Sequence, residues 1–436
     1  MSAVRDLMTM DQIEWARAFR AGELSASSYV SQIKSYFEKR EPALLAFISE
    51  ENRFERLHKE AEDLLARYPD TKNRPPLFGM TVGVKDIFHV DGFTTQAGSR
   101  LPPENLQGRE AVSVTKLKKA GALILGKTVT TEFAYFTPGP TRNPHNPEHT
   151  PGGSSSGSAA AVGAGLCPVA LGTQTIGSVI RPAAFCGAVG FKPTYERIAR
   201  DGVIPLSPSL DHVGFFTPDI PATKQVASAL IEDWDYVDVD RKPTLGIPEG
   251  PYLACASDYA LGCFATICES LSYAGYQLHR IPVMDDYLEV RARHDVIMSY
   301  DAANVHEKWF EKYGELYSPK FTDLVKRGQS VTDIQLQVAL EARDNFRIDT
   351  AQIMKEKDID FWICPPTIGP APKGLEATGD PVMNLPWTQI GFPAVNIPTT
   401  KNEDGLPMGL QVVGKWNEDE SLLAWAEEIE KVVSEL

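Results

Sequence analysis

Apolar positions along this chain begin as helical stripes and then change to short runs of strand length. Ile13, Trp15 and Phe19 follow Thr9-Met10-Asp11-Gln12, which predicts a helix opening near Thr9. Tyr29, Ile33, Tyr36 and Phe37 predict a second helix from Ser25 or Ser27, and Leu57, Ala61 and Leu64 a third over 51–67. Their apolar faces belong to a core or to the seam of a homodimer. Pro75 and Pro76 close a polar linker, so 1–70 reads as an N-terminal helical segment. Beyond it, 80–84 is a short apolar strand followed at once by Lys85, and 111–120 an amphipathic helix stopped by Gly121 before a strand at 122–125. Two Ser/Gly turns, 152–158 and 173–178, flank a short helix over 159–165 and a buried strand over 169–172. Strands at 244–248, 360–364, 394–398 and 409–413 alternate with helices over 259–274, 285–355 and 421–433. This alternation predicts an α/β fold of α/β/α layers, with a mixed central sheet and helices on both faces.

The 436 residues would allow two or three domains, but large α/β enzymes often form one, and 1–436 is expected to be a single domain. A net charge of −15 argues against nucleic acid or an anionic membrane as partner. Six cysteines without C-x-x-C spacing predict buried free thiols in a reducing compartment. The first residues lack an apolar leader and no run approaches about 20 apolar residues, so a cytoplasmic protein is expected. His279, His294 and His306 carry no H-E-x-x-H pattern and read as surface or packing histidines.

The Ser/Gly turns are where chemistry enters. Small residues let backbones approach and N–H groups converge, and Ser154 and Ser178 stand at the two turns, 24 positions apart. One reading is a Gly/Ser loop with close helix–strand packing. Another is a nucleophile elbow, because Gly153-Ser154-Ser155-Ser156-Gly157 matches G-x-S-x-G. That elbow needs a late histidine, and the last 130 residues have none. A phosphate cradle lacks the G-K-[ST] that should follow the glycines. Ser113-Val114-Thr115-Lys116 is a formal S-x-x-K, but its lysine belongs to a solvated helix end with Lys118 and Lys119. Lys85, at the end of a buried strand, reads either as a partner of Asp86 or as a desolvated proton acceptor.

The same stretch, through Gly172-Thr173-Gln174-Thr175-Ile176-Gly177-Ser178-Val179-Ile180-Arg181-Pro182-Ala183, resembles the amidase signature family of Ser–Ser–Lys hydrolases. Gly79-Met80-Thr81-Val82-Gly83-Val84-Lys85-Asp86 matches that family's lysine segment. Met383 to Thr388 and Gly405 to Gln411 match its C-terminal motifs, and the likeness is weakest over about 222–360. The resemblance implies an amidase with Ser178 as nucleophile, Ser154 as a bridging serine after a cis peptide, and Lys85 as general base. It implies an oxyanion hole of backbone N–H groups over Thr175, Ile176, Gly177 and Ser178, and a substrate channel bordered by 131–136, with Phe133 and Tyr135. No metal or organic cofactor is implied, and the partner is a small-molecule amide, carbamate, urea or ester. The region 222–360 is expected to be the variable part of the substrate pocket. Gln174, Ile176 and Ser156 depart from the family pattern; Ile176 is expected to wall the acyl side, with Trp387 near the channel. The alternative within the family is a glutaminase-type subunit of a tRNA-dependent amidotransferase complex.

Overall fold

The computed structural model describes residues 7–434. Three helices open it: α1 (Leu7–Ala21), α2 (Ala26–Leu44) and α3 (Arg53–Arg67). Thr9 therefore lies inside α1 instead of capping it. Ser25, not Ser27, caps α2: its hydroxyl accepts from Ser28 N at 3.1 Å. Phe19, Tyr29, Ile33, Leu57 and Ala61 are buried within the chain, so these stripes serve the core and not a subunit seam.

A first set of elements follows: β1 (Thr81–Lys85), α4 (Val112–Lys119), β2 (Leu123–Thr128), α5 (Ser156–Gly163), β3 (Val169–Gln174), α6 (Ile180–Cys186), β4 (Val189–Lys192), β5 (His212–Thr217) and α7 (Ile220–Leu230). The second set is β6 (Thr244–Glu249), α8 (Asp258–Tyr273), β7 (Gln277–Pro282), α9 (Tyr287–Tyr313), α10 (Pro319–Gln329), α11 (Asp333–Glu356) and β8 (Phe361–Cys364). It ends with α12 (Leu385–Gln389), β9 (Ala394–Lys401), β10 (Pro407–Val413) and α13 (Asp419–Val433). All these strands join one ten-stranded mixed sheet in the order β2-β1-β3-β5-β4-β9-β10-β8-β6-β7. Parallel neighbours occupy both ends, and antiparallel ones fill the middle.

Alternate strand residues serve opposite layers, as the two-residue pleat requires. Ile124, Val169 and Leu171 pack with Val114, Leu117, Val226 and Leu230 of α4 and α7. Leu123, Leu125 and Ala170 face α2, α3 and α5 on the other side. The helical run expected over 285–355 is broken into α9, α10 and α11. Ser318 caps α10 ahead of Pro319, and Thr332 with Gln335 forms a capping box on α11. Elements without a sequence signal include α6, β4, α7 and β7. β7 is the edge strand and mostly exposed, so it carries no apolar alternation. No helix among the described residues is long and apolar enough to cross a membrane.

The helix α5 explains the run of small residues that precedes the second turn. A Cβ on Gly157 would overlap the carbonyl oxygen of Ala46 and the backbone nitrogen of Val129. Neither group can move without shifting a strand or its connection. Gly157→Ala should therefore destabilise the fold by about 3 kcal/mol. Gly262, inside α8, has nothing within 4 Å of its built Cβ. There the same change should stabilise by about 0.5–1 kcal/mol, from helix propensity alone. Thermal melts of the two variants check the pair, and a wild-type midpoint for Gly157→Ala would contradict the packing described.

Candidate active site

The β1–β3 register pairs Val84 with Leu171, which carries Lys85 to the level of Gly172 and Thr173 at the strand ends. Lys85 is fully buried there. Its Nζ lies 2.7 Å from Ser154 Oγ and 2.8 Å from Thr173 Oγ1. The next residue, Asp86, is not its partner. Asp86 takes Lys127 of β2 at 2.7 Å and accepts from the backbone of Gln96 and Ala97, both at 3.1 Å. Burial pushes the Lys85 ammonium well below the usual lysine range, and the charge of Asp211 opposes this only in part. Lys85 Nζ is thus held between two hydroxyls in a setting that disfavours its charged form.

The peptide bond Gly153–Ser154 is cis. Arg181, from α6, donates to Gly153 O at 2.6 Å and to Gly379 O at 2.6 Å. Thr131 N donates to Ser154 O at 3.1 Å, so the backbone on both sides of the cis bond is pinned. Ser155 turns the other way. Its hydroxyl donates to Thr173 O at 3.2 Å and accepts from Thr173 N at 3.3 Å, which uses it as a clamp on β3 and removes the elbow reading.

Ser178 sits 7% exposed in the turn between β3 and α6. Gln174 builds that turn: its Oε1 accepts from Val179 N and Ile180 N at 2.8 and 2.9 Å. Its Nε2 donates to Thr388 Oγ1 at 2.9 Å, and that hydroxyl donates to Ile176 O at 2.6 Å. With the carbonyls drawn outward, the N–H groups of Ile176, Gly177 and Ser178 have no acceptor among the described residues. A Cβ on Gly177 would run into the Asn384 amide. The N–H of Thr175 likewise has no acceptor among the described residues, and its hydroxyl donates to Asp211 at 2.6 Å; Asp211 also accepts from Leu206 N and Ser207 N at 2.9 and 3.0 Å. Burial raises the Asp211 carboxyl to about 6 despite those three bonds.

Ser154, Thr175, Ile176 and Ser178 line one small cavity with Arg181 and Tyr135. Phe133 does not reach it. Phe133 and Ala134 both take positive φ, 45° and 61°, which sends the Phe133 ring into a buried aromatic cluster. There it packs against His306 at 4.6 Å and Tyr317 at 5.4 Å between ring centroids. Ala134, Tyr135 and Phe136 form the wall in its place. Trp387 does not line the cavity either: it donates to Tyr252 OH at 2.9 Å within a core cluster against which Ile176 packs. Ser156 is buried at the start of α5, and nothing in the structure explains its departure from the family pattern. Thr173, Arg181 and Asp211 belong to the site although the sequence assigned them no role; Thr173 and Arg181 lie within the signature stretch. An arginine inside the apolar run Val179 to Phe185 was the available signal, since arginine is rarely buried without a task.

A sequence profile of the Amidase family matches residues 31–253 and 266–423. The chain belongs to the amidase family. A glutamyl-tRNA(Gln) amidotransferase subunit from Symbiobacterium thermophilum is 32% identical over 466 aligned residues, which cover 94% of each chain. A crystal structure of an amidase superposes with a TM-score of 0.87 at 28% identity, covering 97% of this chain and 99% of that one. A peptide amidase in complex with the competitive inhibitor chymostatin gives 0.80 at 25% identity, over 95% and 96% of the two chains. Membership makes this chain an enzyme acting on carbon–nitrogen bonds, and the ten-stranded sheet is that of the family.

The buried amine has a consequence for stability. The unfolded chain holds a proton on Lys85 up to the ordinary lysine value of 10.5, whereas the folded chain releases it at much lower pH. Folding therefore loses stability as pH falls below about 10.5, until the folded pKa is reached. Lys85→Met should be more stable than the wild type at pH 7, with the gap shrinking as pH approaches 10. Denaturant melts across pH 6–10 check this, and a constant gap would contradict a neutral Lys85.

Proposed function

We propose that this amidase hydrolyses a small-molecule amide through an acyl-enzyme on Ser178, with Ser154 and Lys85 as the proton relay. The observation that carries the reading is the buried Lys85 amine, 2.7 Å from Ser154 and without a carboxylate partner. A serine hydroxyl is inert at neutral pH until its proton has a destination. Ser178 Oγ attacks the carbonyl carbon while its proton passes to Ser154 Oγ, and the Ser154 proton passes to Lys85 Nζ. The oxyanion is met by the N–H groups of Ile176, Gly177 and Ser178, which no acceptor among the described residues occupies. The relay then runs in reverse and protonates the leaving nitrogen, the C–N bond breaks, and water entering along the same path releases the acid. Ile176 walls the acyl side. The region 222–360 acts as an outer, variable part of the pocket within a single domain, through Arg327, which donates to Tyr135 OH at 3.2 Å.

Carbamate and ester bonds fit the same steps, because each presents a carbonyl carbon and a leaving group that needs a proton or little help. A glutaminase-type subunit is the second reading, favoured by the name of the relative that is 32% identical. Turnover of aryl amides by the purified chain alone favours the first reading; glutamine turnover that needs companion chains favours the second.

Ser178→Ala should abolish turnover with folding intact. Lys85→Ala and Ser154→Ala should each lower kcat/KM by about 10²–10⁴, the range of general acid–base catalysis. The double variant should be little worse than either single one, because both serve one proton path. Multiplying losses in the double variant, or turnover that survives Ser178→Ala, would overturn the mechanism.

A further inference from the structure

The cavity at Ser154 and Ser178 measures ≈ 10 Å³. That is room for about one water-sized group, so most of a substrate must lie elsewhere. A second cavity of ≈ 520 Å³ lies beside it and shares Ala134 and Leu206 as lining residues. Its volume falls within the roughly 300–1,000 Å³ typical of small-molecule sites. The larger cavity opens under the segment 196–208 and reaches Thr173, the second partner of Lys85 Nζ.

Its position and its walls both restrict what it can hold. The relay returns a proton to the departing nitrogen, so the leaving group has to sit at the Ser154–Lys85 end of the site. The larger cavity lies at that end, because Thr173 belongs to it. Ile198, Val203, Ile204 and Leu206 make its walls aliphatic. Of its charged groups, Asp211 is used by Thr175, Leu206 and Ser207, and Asp201 is exposed at the rim. Arg200 donates to Glu196 at 3.0 Å and to the Pro208 carbonyl. A carboxylate substituent entering here would lose water and gain no free counter-charge, since Arg200 is the cavity's cation and is already used.

We propose that this cavity is the leaving-group subsite of the acyl-enzyme reaction described above, on which the proposal rests, and that it seats an uncharged aliphatic N-substituent. The preferred substrate class is then the secondary N-alkyl amide. Amides of one acyl group with methyl, butyl, hexyl and 5-carboxypentyl amines test it, with the released amine quantified by mass spectrometry. Because all share one acyl-enzyme, differences in kcat/KM report the acylation step, where the amine is still present. The wild type should show at least a tenfold rise in kcat/KM from methyl to hexyl and none for the carboxylated chain. Val203→Trp and Ala199→Phe fill the cavity from half-exposed wall positions, and each should cut the hexyl-to-methyl ratio at least tenfold. Two fillings guard against one misfolding, and each is scored only with a wild-type melt. A flat wild-type series, or an unchanged ratio in both fillings, overturns the subsite. Labelling of Ser178 by a small fluorophosphonate in the same preparations separates the two readings: labelling with a flat series rejects the subsite alone, and absence of labelling rejects the acyl-enzyme itself.

Discussion

The active site depends on burying one lysine and denying it a carboxylate. Among the described residues, three lysines on sheet strands are buried, and each meets a different environment. Lys127 is neutralised by Asp86, which leaves both charges compensated. Lys192, lowered by burial to about 7, donates to the carbonyls of Phe392 and Pro193 at 2.6 and 3.1 Å and ties β4 to the segment that follows α12. Lys85 meets two hydroxyls and nothing charged at contact distance. Desolvating an ammonium without a partner is costly, and giving up the proton is the less costly outcome. The chain turns directly after Lys85, and Asp86, held by its N–H on Thr128 O, pairs with Lys127 instead of Lys85.

The turn that holds Ser178 solves a second problem, exposing backbone donors without letting the loop collapse onto them. Gln174 takes Val179 N and Ile180 N, the donors that follow Ser178, and through Thr388 it draws the Ile176 carbonyl away. Asp211 fixes the other edge through Thr175 while holding Leu206 and Ser207, which ties the cavity wall and the turn ahead of Ser178 to one carboxylate. A glutamine suits this position because it offers an acceptor for two N–H groups and a donor for a hydroxyl, and it carries no charge that would bias Lys85.

Much of this is legible in the chain. Helical stripes, short apolar strands and the Ser/Gly turns mark the layers, with Lys85 at the end of β1 and Ser154 and Ser178 in the turns that lead into α5 and α6. Partnerships between distant residues are not legible. Nothing near Asp86 announces Lys127, and nothing near Thr175 announces Asp211, since both pairings come from strand register. Phe133 is misplaced by sequence because its aromatic neighbours look alike there. Two successive positive φ values, which no residue type at those positions predicts, decide that Tyr135 and Phe136 face the cavity instead. The helix α6 escapes notice because it starts within two residues of Ser178 and is read with the turn, and β4 because it has only four residues.

The most direct measurement of the central claim is the ionisation of Lys85 itself, read from its 13Cε resonance in protein carrying labelled lysine. Loss of the signal in Lys85→Met assigns it, and the same step with Lys192→Met keeps the two buried lysines apart. The Lys85 resonance is expected to titrate well below the ordinary lysine value, because burial disfavours its ammonium. A Lys85 resonance that titrates near 10.5, the ordinary lysine value, would contradict it.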